Sequence, residues 1–260
     1  MDVVDDPRSP VPAAAGTQGE QHPLWLSIGL HLFPGAVLTA FIIMVASAFG
    51  VEPLLALLLG IAVVVAPLEL GYLSLYAERR AGTWSPLAAV GYRTRLPWKR
   101  LALLTVGLAA WMLVLVVVAI AFLDEWLAGS VFAWLPDTIL VMATVDEGEA
   151  AMSTGALVAF LTLFFITNGV IGPVTEELYF RGHLLPRIDR YGRGAPVLNT
   201  ALFTLYHFHT PWRYPVILLG YLPIAWASWR KRSMWIGLAA HMVINNVFVL
   251  LLLAAYLAEA

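Results

Sequence analysis

The sequence contains no cysteine. That one absence removes disulfides, thiolate metal ligands and cysteine nucleophiles. Charge is also scarce: 12% of the 260 residues are Asp, Glu, Lys or Arg, where soluble domains carry about a quarter. No stretch alternates polar and apolar residues as a barrel strand does. The basic residues lie in short loops between apolar runs and form no patch suited to nucleic acid.

What fills the chain instead is hydrophobic sequence, 60% of all residues. Apolar runs of about 20 residues recur, the length that crosses hydrocarbon as a helix. Backbone amides cannot stay unpaired in lipid, so these runs are helical. The expected fold is an all-α, polytopic transmembrane bundle of about seven spans, within a range of six to eight. The spans fall near residues 26–49, 53–76, 101–123, 155–174, 195–210, 214–229 and 234–257. A further helix opens at Pro173 and runs over about 174–190. Residues 1–22, rich in Pro, Ala, Gly and acid, read as a disordered tail without the basic start of a signal peptide. Residues 131–145 are apolar but interrupted by Pro136 and Asp137, which predicts an interfacial or re-entrant piece. The expected organisation is thus a tail over 1–22, transmembrane helices and loops over 23–154, and a functional core over 155–260.

Arginine and lysine set the orientation. Arg79, Arg80, Arg93, Arg95, Lys99 and Arg100 lie between spans two and three. Arg181, Arg187, Arg190 and Arg193 lie between four and five, and Arg230, Lys231 and Arg232 between six and seven. All three loops share one side in a seven-span chain. Asp124, Glu125, Asp137, Asp146, Glu147 and Glu149 lie opposite, with Arg213 the lone basic exception. The N-terminus and basic loops are therefore expected in the cytoplasm, the C-terminus outside, and the chain in the cell membrane.

Ionisable residues inside spans are costly and mark candidate sites. Glu176 and Glu177 precede Arg181, and Glu177 and Arg181 sit i,i+4 on a helix, placed to pair. Glu176 lies about 16 Å from Arg187 along the axis. The plain alternative is mutual neutralisation at a helix end. Phe203 and His207 share a helix face, with His207 about 20 Å from Gly194; alone, such a histidine is more often a hydrogen-bonded core residue. His209, before Thr210-Pro211-Trp212, is expected at the outer interface. His241 and Asn245 share a third face, with Asn246 next, and helix–helix hydrogen bonding explains them as well as function does. Glu69 reads as interfacial or hydrogen-bonded, and His31 and Pro34 as structural.

Three polar clusters on three helices at similar depth form a usable hydrolytic set. Glu176 could deprotonate a water, His207 could position that water or protonate the leaving amine, and His241 with Asn245 could donate to the oxyanion. Alternatively Glu176, His207 and His241 could bind a divalent metal such as Zn²⁺.

The ordered set Glu176-Glu177-xxx-Arg181, Phe203-xxx-His207 and His241-xxx-Asn245 resembles the type II CAAX prenyl endopeptidase and bacteriocin-processing family of intramembrane proteases. The resemblance covers roughly residues 155–257. It implies a peptidase acting on a membrane-associated or lipidated protein or peptide, in a bundle open to the cytosol. Glu176 with His207 would activate water, His241 and Asn245 would serve the oxyanion or ligand side, and Glu177 and Arg181 would be structural partners. The prenyl label is not carried over as a substrate. Other intramembrane proteases are opposed by absences: no HExxH, no pair of aspartates within the spans, no Gly-x-Ser-Gly-like nucleophile. The competing readings are a non-catalytic immunity factor or scaffold of the same fold, and a transporter relaying protons through Glu69, His31 and the Glu176 cluster.

Overall fold

The computed structural model describes residues 20–140, 142 and 154–259. Among these the chain is helical throughout, and its sole β pairing is an isolated antiparallel bridge between Arg93 and Ser233. The first helix, α1 (Leu24–Phe49), ends on Gly50, whose positive φ of 62° lets its N–H close on the Ala46 carbonyl. Glu52 caps the next helix by accepting from Leu54 N–H and Leu55 N–H, with Pro53 at its first position. That helix runs as α2 (Pro53–Gly60), a π-helical turn (Ile61–Val65) and α3 (Ala66–Ala81). After a 3₁₀ turn (Pro86–Ala89) come α4 (Trp98–Phe122) and two short pieces, α5 (Asp124–Ser130) and α6 (Asp137–Leu140).

The next stretch is continuous from Thr154 to Tyr191, 38 residues long. It passes through α7 (Thr154–Phe164), a π segment (Phe165–Ile171), α8 (Gly172–Glu176), a second π segment (Glu177–Leu184) and a 3₁₀ end (Leu185–Tyr191). The expected fourth span and the helix after it are thus one element. α9 (Gly194–Tyr206), α10 (Tyr214–Lys231) and α11 (Trp235–Glu259) complete the bundle. Among the described residues, four helical stretches are long and apolar enough to cross a membrane: Leu24–Phe49, Pro53–Ala81, Trp98–Phe122 and Thr154–Tyr191. The lipid-ready surface is visible on α4, where Leu103, Val106 and Phe122 are exposed. These features make the chain a multi-pass membrane protein.

Two expectations need correction. The helix predicted through residue 210 stops at Tyr206, so α9 has 13 residues and a length of about 20 Å, short of the roughly 30 Å hydrocarbon core. The predicted tail is docked at its end: His22 N–H donates to the Arg187 carbonyl at 2.8 Å, and the Gln21 amide donates to the Pro186 carbonyl at 3.0 Å. Residues 1–19 lie outside the described residues, as do Asp146, Glu147, Glu149 and most of 141–153. The remainder of the predicted interfacial piece, 131–140, contains only the one-turn helix α6, and buries Ile139 against Leu38 and Ile42.

Pro34, Pro173 and Pro223 each free the carbonyl four residues earlier, and each of these carbonyls finds a side chain from another helix. Pro34 frees Leu30 O, which accepts from the Tyr179 hydroxyl at 2.8 Å. Pro173 frees Gly169 O, which accepts from Asn246 Nδ2 at 3.0 Å. Pro223 frees Leu219 O, which accepts from Trp111 Nε1 at 3.1 Å.

The three basic loops gather at one end of the bundle. Asp189 accepts from Trp229 Nε1 at 2.7 Å and pairs with Arg232 at 2.6 Å, and Tyr92 donates to the same carboxylate. Thr94 N–H donates to Arg232 O, and Gly91 N–H to Gly182 O. Glu20 joins from the N-terminal side, pairing with Arg80 at 2.6 Å. Its carboxyl is held below the usual range, chiefly by the Tyr76 hydroxyl, against burial and with help from Arg80. Burial, aided by the Arg187 charge, pushes the neighbouring His22 imidazole down from 6.5 to about 4.

Two tests follow from these contacts. Tyr179→Phe strands Leu30 O and is expected to lower stability in detergent by about 1–3 kcal/mol. Adding Pro34→Ala restores an amide to that carbonyl, so the double variant recovers part of the loss; strict additivity in thermal melts would refute the pairing. His22 is docked as the neutral ring, so its contribution is full above pH 6.5 and is lost as pH falls toward 4. His22→Gln should flatten the melting-temperature profile across that window.

Candidate functional site

The stretch carrying Glu176 is locally irregular for a stated reason. Gly172 N–H bonds five residues back, to Thr167 O, and Pro173 offers no N–H. The carbonyls of Asn168 and Gly169 are thereby left to other donors. Asn245 Nδ2 donates to Asn168 O at 2.8 Å, and Asn246 Nδ2 to Gly169 O at 3.0 Å. The two adjacent asparagines of α11 therefore hold the backbone just ahead of Glu176.

One turn further, Glu177 and Arg181 form the expected pair, 3.2 Å apart with both side chains wholly buried. Glu177 Oε1 also lies 3.2 Å from His241 Nδ1. The guanidinium of Arg181 stacks 4.0 Å from the Phe203 ring and 5.0 Å from the Tyr221 ring. Phe203 thus acts as a platform for the cation. Gly237 permits this cluster, because a Cβ there would fall on Glu177 Oε2.

His207 departs from the prediction. It is the residue after α9, with φ −81° and ψ 52°, and its ring returns to the helix: Nδ1 lies 2.9 Å from Phe203 O. A carbonyl only accepts, so Nδ1 carries the proton and Nε2 presents a lone pair. Around Glu176, the Tyr206 hydroxyl donates to Oε1 at 3.3 Å.

A cavity of about 170 Å³ is bordered by Glu176, His207, His241 and Asn245 together. Glu177, Arg181 and Phe203 lie behind it as its buried support. Sequence reasoning missed four further polar wall residues: Asn168, His209, Arg213 and Tyr221. His209, expected at the outer interface, is buried, with its ring 5.7 Å from that of His207. Arg213 pairs with Asp124 at 3.0 Å. Glu69, expected at the interface or hydrogen-bonded, is wholly buried instead of interfacial. His31 is structural as expected: Nδ1 meets Ser27 O, and Asn199 Nδ2 donates to Nε2.

The metal set Glu176, His207 and His241 does not fit an ion as placed, since among the described residues no three His, Asp or Glu side chains converge to hold one. The arrangement that remains is a carboxylate, two imidazoles with Nε2 uncommitted and an amide around one cavity, backed by a buried ion pair.

Fold and site together define a helical membrane protein with a buried acid–imidazole–amide centre. Residues 158–247 match the family model for Type II CAAX prenyl endopeptidase Rce1-like, a segment that contains every residue of the three motifs. No curated protein and no solved structure matches the chain.

Removing one member of the ion cluster exposes its energetics. Arg181→Met strands a buried carboxylate and should cost about 3–5 kcal/mol. Adding Glu177→Gln should return most of that, and a double variant as unstable as the single one would contradict the pairing.

Proposed function

We propose that the protein is an intramembrane endopeptidase, cleaving a membrane-associated or lipidated protein or peptide with water activated by Glu176. The observation that supports this reading is the shared cavity: Glu176, His207, His241 and Asn245, drawn from three separate chain segments, border one space. Glu176 takes a proton from a water that His207 Nε2 orients, and the water attacks the scissile carbonyl. The carbonyl carbon becomes tetrahedral and its oxygen anionic. His241, held through Nδ1 by Glu177, borders the same space and would donate from Nε2 to that oxyanion in its doubly protonated form. Asn245 spends one amide hydrogen on Asn168 O and has a second for the substrate. The proton on Glu176 then passes to the departing amine nitrogen as the C–N bond breaks. The bundle is read as seven passes, with the α9–α10 hairpin supplying the fifth and sixth, in a cell membrane with the basic end cytoplasmic.

A second reading is favoured by one specific observation. His207, His241 and Asn245 each have a local partner, at Phe203 O, Glu177 and Asn168 O respectively. A non-catalytic scaffold or immunity protein would keep the same bonds.

Cleavage of a membrane-peptide library by reconstituted protein separates the two. Glu176→Gln should reduce cleavage by about 10²–10⁴-fold while its melting temperature stays at the parent value; unreduced cleavage would refute the role given to Glu176. Chelation should leave the rate unchanged, and loss of activity restored by zinc would reinstate the metal.

A further inference from the structure

The Tyr206 hydroxyl adjoins two carboxyls that come from different helices. Tyr206 is the last residue of α9, and its hydroxyl donates to Glu176 Oε1 at 3.3 Å. The same hydroxyl is a hydrogen-bonding neighbour of Glu69, in the first turn of α3. Packing holds the phenol in this place. Its ring meets Phe180 edge-on at 5.1 Å and His207 edge-on at 5.0 Å. Helix α1 closes in as well, because a Cβ at Gly35 would collide with the Tyr206 ring and carbonyl. Both Tyr206 and Glu69 are buried.

A phenol has one proton to give and lone pairs to receive. It donates to one carboxyl only, and the other carboxyl has to donate to it or stay unanswered. The surroundings decide which is which. Glu176 borders the cavity with His241 and directly precedes Glu177, whose partners are Arg181 and His241. Glu69 takes part in none of the ion pairs among the described residues. A carboxylate out of water without a cation is too costly to persist, and two neighbouring carboxyls out of water do not both ionise. The negative charge therefore belongs to Glu176 and a proton to Glu69.

We propose that Glu69 is a positioning residue for Glu176, acting through Tyr206. The neutral Glu69 O–H donates to the Tyr206 oxygen, which commits the phenol proton to Glu176 Oε1. Oε2 of Glu176 is then the oxygen left to receive the proton of the attacking water. No proton moves along the chain, and its effect is to fix the orientation of the reacting carboxylate. This role rests on the peptidase reading, while the hydrogen-bonded chain itself does not.

The test compares the parent protein with Glu69→Leu, Glu69→Gln, Tyr206→Phe and the Glu69→Leu/Tyr206→Phe double variant, all reconstituted and given one peptide that the parent cleaves. Glu69→Leu should lower kcat about 10²-fold with KM at the parent value. Its melting temperature should not fall, since no buried charge is stranded. Glu69→Gln keeps an N–H donor for the phenol and should restore most of the rate. Tyr206→Phe should lose as much as Glu69→Leu, and the double variant no more than either. A parental kcat in Glu69→Leu, a Glu69→Gln as slow as Glu69→Leu, or additive losses would overturn the proposal. Infrared spectra read the chain without turnover. The parent should show a carboxylic acid carbonyl band that Glu69→Gln lacks and that shifts in Tyr206→Phe. Absence of that band would overturn the proposal whatever the cleavage. A parent that shows the band and cleaves no peptide would count against the peptidase reading while supporting the chain.

Discussion

In hydrocarbon a backbone carbonyl without a donor costs several kcal/mol, and the bundle is organised around repairing three that its own prolines create. Tyr179, Asn246 and Trp111 each reach across from a different helix to Leu30 O, Gly169 O and Leu219 O. The repairs double as cross-links. Tyr179 fastens the long fourth helical stretch to α1, while Asn245 and Asn246 fasten it to α11. Glu176 lies between these fastenings, so the position of its carboxyl is set from both sides.

The buried ion cluster works at the next level. A pair such as Glu177 and Arg181 contributes little net stability, because desolvation offsets attraction. Its effect is geometric. Arg181 is held between the faces of Phe203 and Tyr221, Glu177 is held by Arg181, and His241 is aimed by Glu177. A chain of contacts that starts on an aromatic ring in α9 thus fixes the direction of an imidazole on α11. Glu177, Arg181, Phe203 and His241 are separate residues in the sequence, yet these four form one mechanical unit.

Much of this was legible in the sequence. The apolar runs announced the helices, the i,i+4 spacing announced the Glu177–Arg181 pair, and the polar residues inside apolar sequence announced the cavity. Part of what escaped prediction has one cause: helix periodicity assumes α geometry. The π segments over Phe165–Ile171 and Glu177–Leu184 change which side chains share a face, and local sequence carries no strong signal for them. The early end of α9 was hidden because residues 203–210 contain no glycine or proline to mark a stop, so His209 was assigned to the surface and His207 to a helix it has already left. The docking of Gln21 and His22 depends on partners more than 160 positions away, which composition alone does not reveal.

The end of α9 is closed by its own continuation. Phe203 O takes the His207 ring, Thr204 O the His207 amide and Tyr206 O the Phe208 amide. The same imidazole that faces the cavity through Nε2 is therefore part of the stopper that lets a helix finish inside lipid. Replacing this histidine would therefore remove a helix stop as well as a cavity wall.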